Sequence, residues 1–599
     1  MRIAVLVKQI PAFEEMELGP DGRLKRDGLD LEMNAYCRRA VSQAVDLAAA
    51  VGDGTVTVFT LGPPSAVDVL REAIAWGLEA AVEIDGVLIT DPAFAGSDTL
   101  ATARALAAAI DRDGPFDLVL AGRNSVDADT GQVGPELAEL LDLPFATGVR
   151  HLSVKGSTFH LRCEHDDGFV QLEIDLPLVA SCAERLIDPC KVPPDLRQVV
   201  PHERIRTITA ADLGAGPWGQ AASPTAVGEV RVHRVEREHH RRTGTPAEQV
   251  HEAVARLVER GALDEPVDDP TAIERVPDTG GADPVIGIVV EPDRARLTRE
   301  LLGAAAVLAS SLGGRVAALT LEPPLPAVLG SWGADDIVAI EGELVAEDVA
   351  RVVAEWATDV AAWAVLVPST AWGREVAARA AARLGAGLTG DAVGLEVADD
   401  RLVAWKPAFG GQLVAAITAS SSVQMATVRS GMLPQLTPRP RTASLSTLTI
   451  RPRNRVTVVG RTRDDDLDTL AEAHAVVGVG LGGLSPDDYP KLDPLLHALG
   501  AELGATRKVT DKGWMPRARQ IGITGRTIAP RLYIALGTSG KFNHMVGVRR
   551  AGTVLAVNTD PDALVFDSAD IGIVGDSLEV AALLADEVER VQARAGTRG

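Results

Sequence analysis

Between Gln520 and His544 the chain reads QIGITGRTIAPRLYIALGTSGKFNH, an apolar run set between two turns crowded with Gly, Thr and Ser and followed by a single histidine. At the carboxyl ends of parallel strands, such turns and the helix N-termini after them present backbone N–H groups that have no acceptor and suit phosphate. The pattern occurs four times in the last part of the chain: LGGL follows AVVGVG, TGRT follows Ile523, GTSG follows RLYIAL, and NTDPDA follows TVLAV. One such turn has a structural explanation; four together point to a nucleotide-sized ligand. GVGLGG, Gly478 to Gly483, also satisfies GxGxxG behind a strand. A nicotinamide-binding unit needs an acidic residue about 20 positions further on, at the end of a second strand. Here YPKLDPLLHALGAELGATR continues helically instead, which disfavours that reading. A fifth polar loop, SVDADTGQVGP, follows the strand DLVLAG and opens a helix, so Asp129, Thr130 and nearby amides converge where a phosphate fits, or where a helix start is capped.

The elements that position these turns are legible as an internal repeat. TVTVFTLGPPSAVDVLREAIAWGLEAAVEIDG from Thr55 is echoed by RVAALTLEPPLPAVLGSWGADDIVAIEG from Arg315, matching Pro63-Pro64 with Pro323-Pro324 and Trp76-Gly77 with Trp332-Gly333. DLVLAGRNS answers WAVLVPSTA, and RIAVLVKQ and VIGIVVE are the first strands of the two copies. Short β-branched runs alternating with amphipathic helices predict doubly wound α/β domains with parallel sheets. A third α/β unit runs from Val456, with strands AVVGVG, RLYIAL, TVLAVN and IGIVG. The expected division is therefore a first domain over 1–263 that ends in a tail helix, AEQVHEAVARLVERG, packed on a neighbour. A linker over 264–283, a second domain over 284–440 and a third over 452–599 follow.

The totals bound the partners. A net charge of −24 opposes nucleic acid and anionic membrane surfaces. Cys37, Cys163, Cys182 and Cys190 show no CxxC pair, and His239-His240 sits in a charged, solvated segment, so no metal site is expected. No run approaches the ~20 apolar residues that span a bilayer, and the expectation is a protein of the cytoplasm that is not embedded in a membrane.

The motifs GATRKVTDKGW, QIGITGRTIAPRLYIALGTSGKFNHMVG and VLAVNTDPDALVFDSADIGIVGD resemble the FAD-binding domain of the electron transfer flavoprotein α subunit. AVLVKQIP, MNAYC and AGRNSVDADTGQVGPELAELL resemble the β subunit, while PSTAWGREVAARAAARLGAGLTGDAV and WKPAFGG resemble the first domain of the α subunit. The chain thus resembles a β–α fusion. The resemblance implies two related adenine-nucleotide-hydrolase-like domains and a Rossmann-like domain holding FAD.

Within the FAD site, the resemblance places Arg507 over the flavin, where its charge would steady the reduced anionic ring, and Thr506 beside it in place of the family's serine. Thr524 would meet flavin N5, and Gln520 the ribityl chain. His544 would stand near O2 as a donor, above all as imidazolium. Ser539 and Gly540 would serve the pyrophosphate, Asn558 and Asp570 the adenosine end. Gly522 and Gly525 belong to the same motif, and Phe13 replaces a tyrosine that approaches the ring from the β side. Leu6, Asn34, Leu61, Ser125, Asp129, Thr130, Gly131, Gln132 and Val133 would form a second nucleotide site for AMP, or for a second FAD as in electron-bifurcating relatives.

The implied function is a soluble electron carrier with no catalytic side chain. It would take electrons from a flavin-dependent dehydrogenase and pass them to a membrane-associated quinone oxidoreductase. The alternatives are a bifurcating, NADH-oxidising enzyme with two FAD, and a flavin-free nucleotide-binding scaffold. Three departures bear on the choice: GLGGL lacks the arginine of the family's GGRGL, Ile523 stands where Gln is usual, and DPCKVPPDLRQVV replaces the PRYxxLPN loop that grips dehydrogenases.

Overall fold

The computed structural model describes residues 1–11, 30–232, 237–264, 274–408, 413–434, 436–463, 469–470, 473–522 and 525–596. They form two compact units, one drawn from 1–232, 273–409 and 413–462, the other from 233–272 and 463–599.

The first unit contains both repeats. In the first repeat, β1 (Arg2–Leu6) lies parallel between the strand Thr55–Leu61 and β2 (Leu118–Gly122). Its residues alternate between two cores: Ile3 and Val5 enter one, Ala4 and Leu6 the other. A strand buried on both faces needs this continuous apolar run, which is what RIAVL supplies. The loop after β2 leads into α1 (Val133–Leu140). The sheet continues through Leu178–Cys182 and Phe145–Lys155 into an antiparallel hairpin, β3 (Thr158–His165) and β4 (Gly168–Asp175). A further strand, β5 (Thr225–Val232), leaves this repeat altogether.

The second repeat builds a seven-stranded, all-parallel sheet around β6 (Val285–Val290) and β7 (Ala364–Pro368). Helix α2 (Ala371–Leu384) follows β7. Thr370 caps its start, accepting from Gly373 N at 2.9 Å, and Gly385 closes its end in the left-handed conformation. Beside this sheet, β5 pairs antiparallel with β8 (Leu413–Ala419), from Thr225 opposite Ala419 to Val232 opposite Leu413. In return β9 (Val456–Arg463) adds to β4 of the first repeat's sheet. Each repeat thus completes a sheet of the other. Between them, the fully buried Arg379 of α2 donates to Glu139 Oε2 at 3.0 Å and to Leu143 O at 3.1 Å, and Arg383 Nε reaches Glu139 Oε1 at 3.0 Å.

The second unit has a six-stranded parallel sheet: β10 (Ala475–Val479), β11 (Ala501–Ala505), β12 (Leu532–Leu536), β13 (Thr553–Asn558), β14 (Ile571–Val574) and an edge contributed by His240–Arg241. The tail helix Pro246–Glu259 buries Val250, Val254 and Leu257 in the core of this sheet, together with Leu584 and Val588 of α3 (Ser577–Gly596).

Three boundaries differ from expectation: the first domain, expected over 1–263, ends at 232, and its tail helix is part of the second unit, in whose core it packs. The third domain was placed at 452–599, but the first unit runs to 462 because β9 finds the open edge of β4, a choice of partner that alternation along one strand cannot encode. The linker 264–283 lies partly outside the described residues, and its second part is packed. Val276 N donates to Thr437 O, and the buried Arg439 donates to Pro277 O and to Thr279 Oγ1.

The tail segment is tied down by a buried ion pair, with Arg237 Nη1 2.8 Å from Asp570 Oδ2 and both side chains nearly inaccessible. Removing one partner strands the other charge in the interior, at a cost of about 3–5 kcal/mol. Asp570→Ala is therefore expected to destabilise the second unit by that order, read as faster amide hydrogen exchange in Leu532–Leu536 and Pro246–Glu259 with the β1 region unchanged.

Candidate functional site

At the carboxyl edge of the second unit's sheet, the turns after β10, β12 and β13 are knit together by backbone. Gly480 N donates to Leu536 O and Gly482 N to Gly537 O. Gly537 has φ +60, and a Cβ there would lie 1.9 Å from Gly482 O, so only glycine allows the two turns to touch. The GxGxxG spacing serves this contact. Asn558 Nδ2 donates to Thr538 O at 2.8 Å and its Oδ1 accepts from Asp560 N, which joins the NTDPDA turn to the same cluster.

The GTSG turn holds the feature that asks for a ligand. Thr538 is fully buried, yet its hydroxyl has no hydrogen-bond partner among the described residues. The amides of Ser539 and Gly540 donate to no acceptor among the described residues either. Gly540 adopts φ +74 and packs so closely on Val565 N that a Cβ would sit 2.0 Å away, which fixes the turn in this amide-presenting shape. A buried hydroxyl without a partner costs about 1–3 kcal/mol, a penalty for Thr538 that a pyrophosphate at this turn removes, while the more accessible amides of Ser539 and Gly540 stand ready to donate to it. The residues present therefore fit a dinucleotide.

The other expected residues gather unevenly around this edge. Arg507 begins the short helix Arg507–Asp511 directly after β11, with Thr506 as its N-cap, and its Nε lies 3.2 Å from Asp511 Oδ2. Gln520 is buried, and its Oε1 accepts from Thr510 Oγ1 at 2.7 Å, which anchors that helix. Gly522 N donates to Arg526 O and Gly525 N to Gly522 O. Among the described residues this segment makes isolated bridges, Ala505 with Gln520 and Ile521 with Arg526. Thr524, Ile523 and Phe13 lie outside the described residues.

Two expectations need correction. His544 is buried with both ring nitrogens engaged: Nε2 accepts from the Tyr533 hydroxyl at 2.6 Å, and Nδ1 donates to Ile521 O at 3.1 Å. Burial pushes its pKa down to about 4, against the Ile521 carbonyl, so the ring is a neutral imidazole rather than the imidazolium implied by the resemblance. Asp570 immediately precedes β14, where its Oδ2 accepts from Val554 N near the start of β13. It therefore belongs to the amino edge, away from the turns. The carboxylate at the carboxyl edge of β14 is Asp576, which caps α3 by accepting from Leu578 N and Glu579 N. The VGD turn after IGIVG is the signal that marks it in the sequence.

The first repeat presents a second edge of the same kind. Asn34, almost wholly buried, pins the loop after β2, its Nδ2 donating to Asn124 O at 2.9 Å and its Oδ1 accepting from Val126 N at 3.2 Å. Asp129 and Gly131 both take positive φ, Asp129 Oδ1 bonds the Asn124 amide, and Asp129 N returns to Ser125 O. The amides of Thr130, Gly131, Gln132 and Val133 donate to no acceptor among the described residues, and they open α1. Gln132 does not cap the helix with its side chain; its Oε1 accepts from Thr99 Oγ1 and its Nε2 donates to Leu388 O. Leu6 and Leu61 end the two neighbouring strands. Sequence reasoning missed Lys8, whose Nζ reaches Asp127 at 2.8 Å and Ser125 Oγ at 3.1 Å. A lone lysine just past β1 was the available signal.

Beside this loop, Glu136 Oε1 lies 3.0 Å from Thr99 Oγ1, and burial, with Thr99 opposing it and the charge of Asp98 adding to it, pushes its pKa up to about 8, so that the protonated carboxyl donates to the Thr99 oxygen while the Thr99 hydroxyl donates to Gln132 Oε1. Its carboxyl is protonated at neutral pH and brings no negative charge to the helix start.

Residues 21–213 and 289–452 match the electron transfer flavoprotein domain, and residues 469–549 match the electron transfer flavoprotein FAD-binding domain. The chain is 34% identical over 311 residues to the electron transfer flavoprotein subunit alpha of Thermoanaerobacterium thermosaccharolyticum, covering 49% of this chain and 93% of that one. It is 35% identical over 266 residues to the subunit beta of the same organism, covering 43% and 97%. Protein FixB of Azorhizobium caulinodans is 35% identical over 318 residues, covering 49% and 86%.

The raised pKa of Glu136 sets a pH dependence. Its ordinary value is 4.5 and the folded value is about 8, so folding favours the protonated form. The stability it confers is complete below about pH 4.5 and declines as the pH rises through about 8. Glu136→Gln is expected to match the wild type near pH 5 and to melt several degrees higher above about pH 8, checked by thermal melts across that range.

Proposed function

This chain belongs to the electron transfer flavoprotein family, and on that premise we propose that it carries electrons from a flavin-dependent dehydrogenase to a quinone-linked acceptor by means of FAD at the carboxyl edge of β10 to β14. The observation that carries the reading is the GTSG turn, where an orphaned buried hydroxyl on Thr538 stands beside the unbonded amides of Ser539 and Gly540. FAD, when bound, supplies the reversible electron chemistry; the protein supplies binding, orientation and charge.

The residues divide that work. The amides of Ser539 and Gly540, with the Thr538 hydroxyl, hold the pyrophosphate. Asn558 and Asp576 face the adenosine end. Arg507 brings a guanidinium that stays charged at every working pH and favours a negative ring over a neutral one. The Gln520–Thr510 bond keeps its helix in place. His544, neutral and held between Tyr533 and Ile521, has a fixed ring that neither gives nor takes a proton in the neutral range. In the first repeat, the amides of Thr130 to Val133 together with Lys8 suit the phosphate of AMP, and the uncharged Glu136 adds no further negative charge to that of Asp127 and Asp129. Among the described residues no helix is long and apolar enough to cross a membrane.

Cofactor extraction from the purified protein tests the reading. One FAD and one AMP per chain is the expected content. Two FAD, with bleaching of the flavin by NADH, would instead assign the bifurcating reaction, and protein that stays colourless after incubation with FAD contradicts the proposal. Arg507→Ala is expected to lower the flavin midpoint potential by on the order of 30 mV, since loss of the positive charge disfavours the reduced ring. An unchanged potential removes Arg507 from the site.

A further inference from the structure

The two repeats can be compared residue by residue through their strand registers. Ile3 of β1 lies opposite Val56 and Leu118, and Ile286 of β6 lies opposite Val316 and Ala364. Counting forward from that pair, Lys8 of the first repeat corresponds to Glu291 of the second. The loops also differ. From β2 to α1 the chain runs through the long polar loop of the second nucleotide site, whereas only Ser369 and Thr370 separate β7 from α2. The crevice at the carboxyl edge of β6 and β7 thus keeps the helix start and loses both the phosphate loop and the lysine.

Another group of the same chain stands there. The turn joining β3 to β4 carries Asp166 and Asp167, and Ala371 N, the first amide of α2, donates to Asp166 Oδ2 at 2.6 Å. Arg294 lies 3.3 Å from Asp167 Oδ2. Desolvation opposes ionisation of Asp166, yet the Ala371 amide and the charges of Arg123, Arg374 and Arg294 outweigh it and hold the carboxyl below its usual range. A cavity lined by Arg123, Asn124, Gly131, Ala371 and Arg374 adjoins the contact. On the other side Thr370 Oγ1 donates to Glu291 Oε2 at 2.7 Å, and burial pushes Glu291 up to about 7. The surroundings of Asp166 are those of a bound oxyanion: a helix start and guanidinium groups from both repeats.

We propose that Asp166 is an in-chain substitute for a phosphate, a carboxylate from the first repeat that occupies the anion pole of the second, closing that crevice to nucleotides and fastening the β3–β4 hairpin to α2. Two copies of one fold then have different fates for a stated reason. The copy with Lys8 and a long amide-rich loop is open to an external phosphate, and the copy with Glu291 and a two-residue loop is filled from within.

The inference does not depend on the redox reading, and it predicts chemical rescue. Asp166 is exposed at its turn while its carboxylate reaches inward to Ala371 N, so removing the side chain opens a path by which dissolved anions reach the pole. In the cofactor-loaded protein, Asp166→Ala is expected to lower the melting temperature by about 2–4 °C. Inorganic phosphate, exchanged for chloride at constant ionic strength, should restore most of that loss while leaving the wild type unchanged. Calorimetric titration should show one phosphate site in the variant that is at least about tenfold weaker in the wild type. Any phosphate bound at the Thr130–Val133 loop is common to both proteins and cancels, and flavin content, measured in parallel, reports separately on the second unit. Equal responses of wild type and variant to phosphate, or no response of either, overturn the proposal. If Asp166→Ala does not fold, Asp166→Asn keeps the side-chain volume and loses the charge; the same comparison then decides, with rescue by phosphate supporting the substitution and its absence refuting it.

Discussion

Backbone amides that find no acceptor among the described residues are the constraint on which the rest of this structure depends. A parallel sheet ends every strand at the same edge, and the turns that leave that edge cannot all be satisfied by neighbouring strands. In the second unit the shortfall is concentrated at Ser539 and Gly540, with the buried Thr538 hydroxyl beside them. The close contact of Gly482 with Gly537 and of Gly540 with Val565 keeps the turns in that shape. The first repeat leaves the amides of Thr130 to Val133 in the same condition. In the second repeat the deficit is met inside the chain, by Asp166 on Ala371 N.

Charge then sorts these edges. Where an external anion fits, the nearby buried acid is neutral: Glu136 is pushed up to about 8 and stays protonated beside the Thr130–Val133 loop. Where the protein provides its own anion, acids collect around arginines, as Asp166 and Asp167 do with Arg294. The second unit uses arginine differently again. Arg507 is held at the sheet edge by a short helix anchored through Gln520, while Arg237 and Arg260 stand at the opposite edge, where they bind Asp570 and draw the tail of the first repeat into this unit.

Much of this was legible in the sequence because repetition and composition report on local structure. The matched Pro-Pro and Trp-Gly pairs disclosed two copies of one fold, and strands such as AVVGVG and RLYIAL announced a third parallel sheet. Long-range pairing was not legible. Nothing in VTVVGRTR states that it will pair with β4, nor in TAVGEVRV that it will pair with β8, because strand alternation specifies faces and not partners. The same limit explains the errors in the site. Asp570 lies in a familiar motif, but only the strand bounds show that it precedes β14, so the carboxylate at the correct edge is Asp576. His544 sits in the expected turn region, and only packing shows that Tyr533 occupies its second nitrogen. Lys8 went unread because one lysine after a strand carries no pattern.

On the proposed function, the amides of Ser539 and Gly540 bind the pyrophosphate of a flavin dinucleotide. Hydrogen–deuterium exchange on flavin-loaded and flavin-stripped protein, resolved at the GTSG turn, tests it most directly. The account predicts that these two amides exchange freely in the stripped protein and become strongly protected when FAD is bound. Equal exchange in both forms would contradict it.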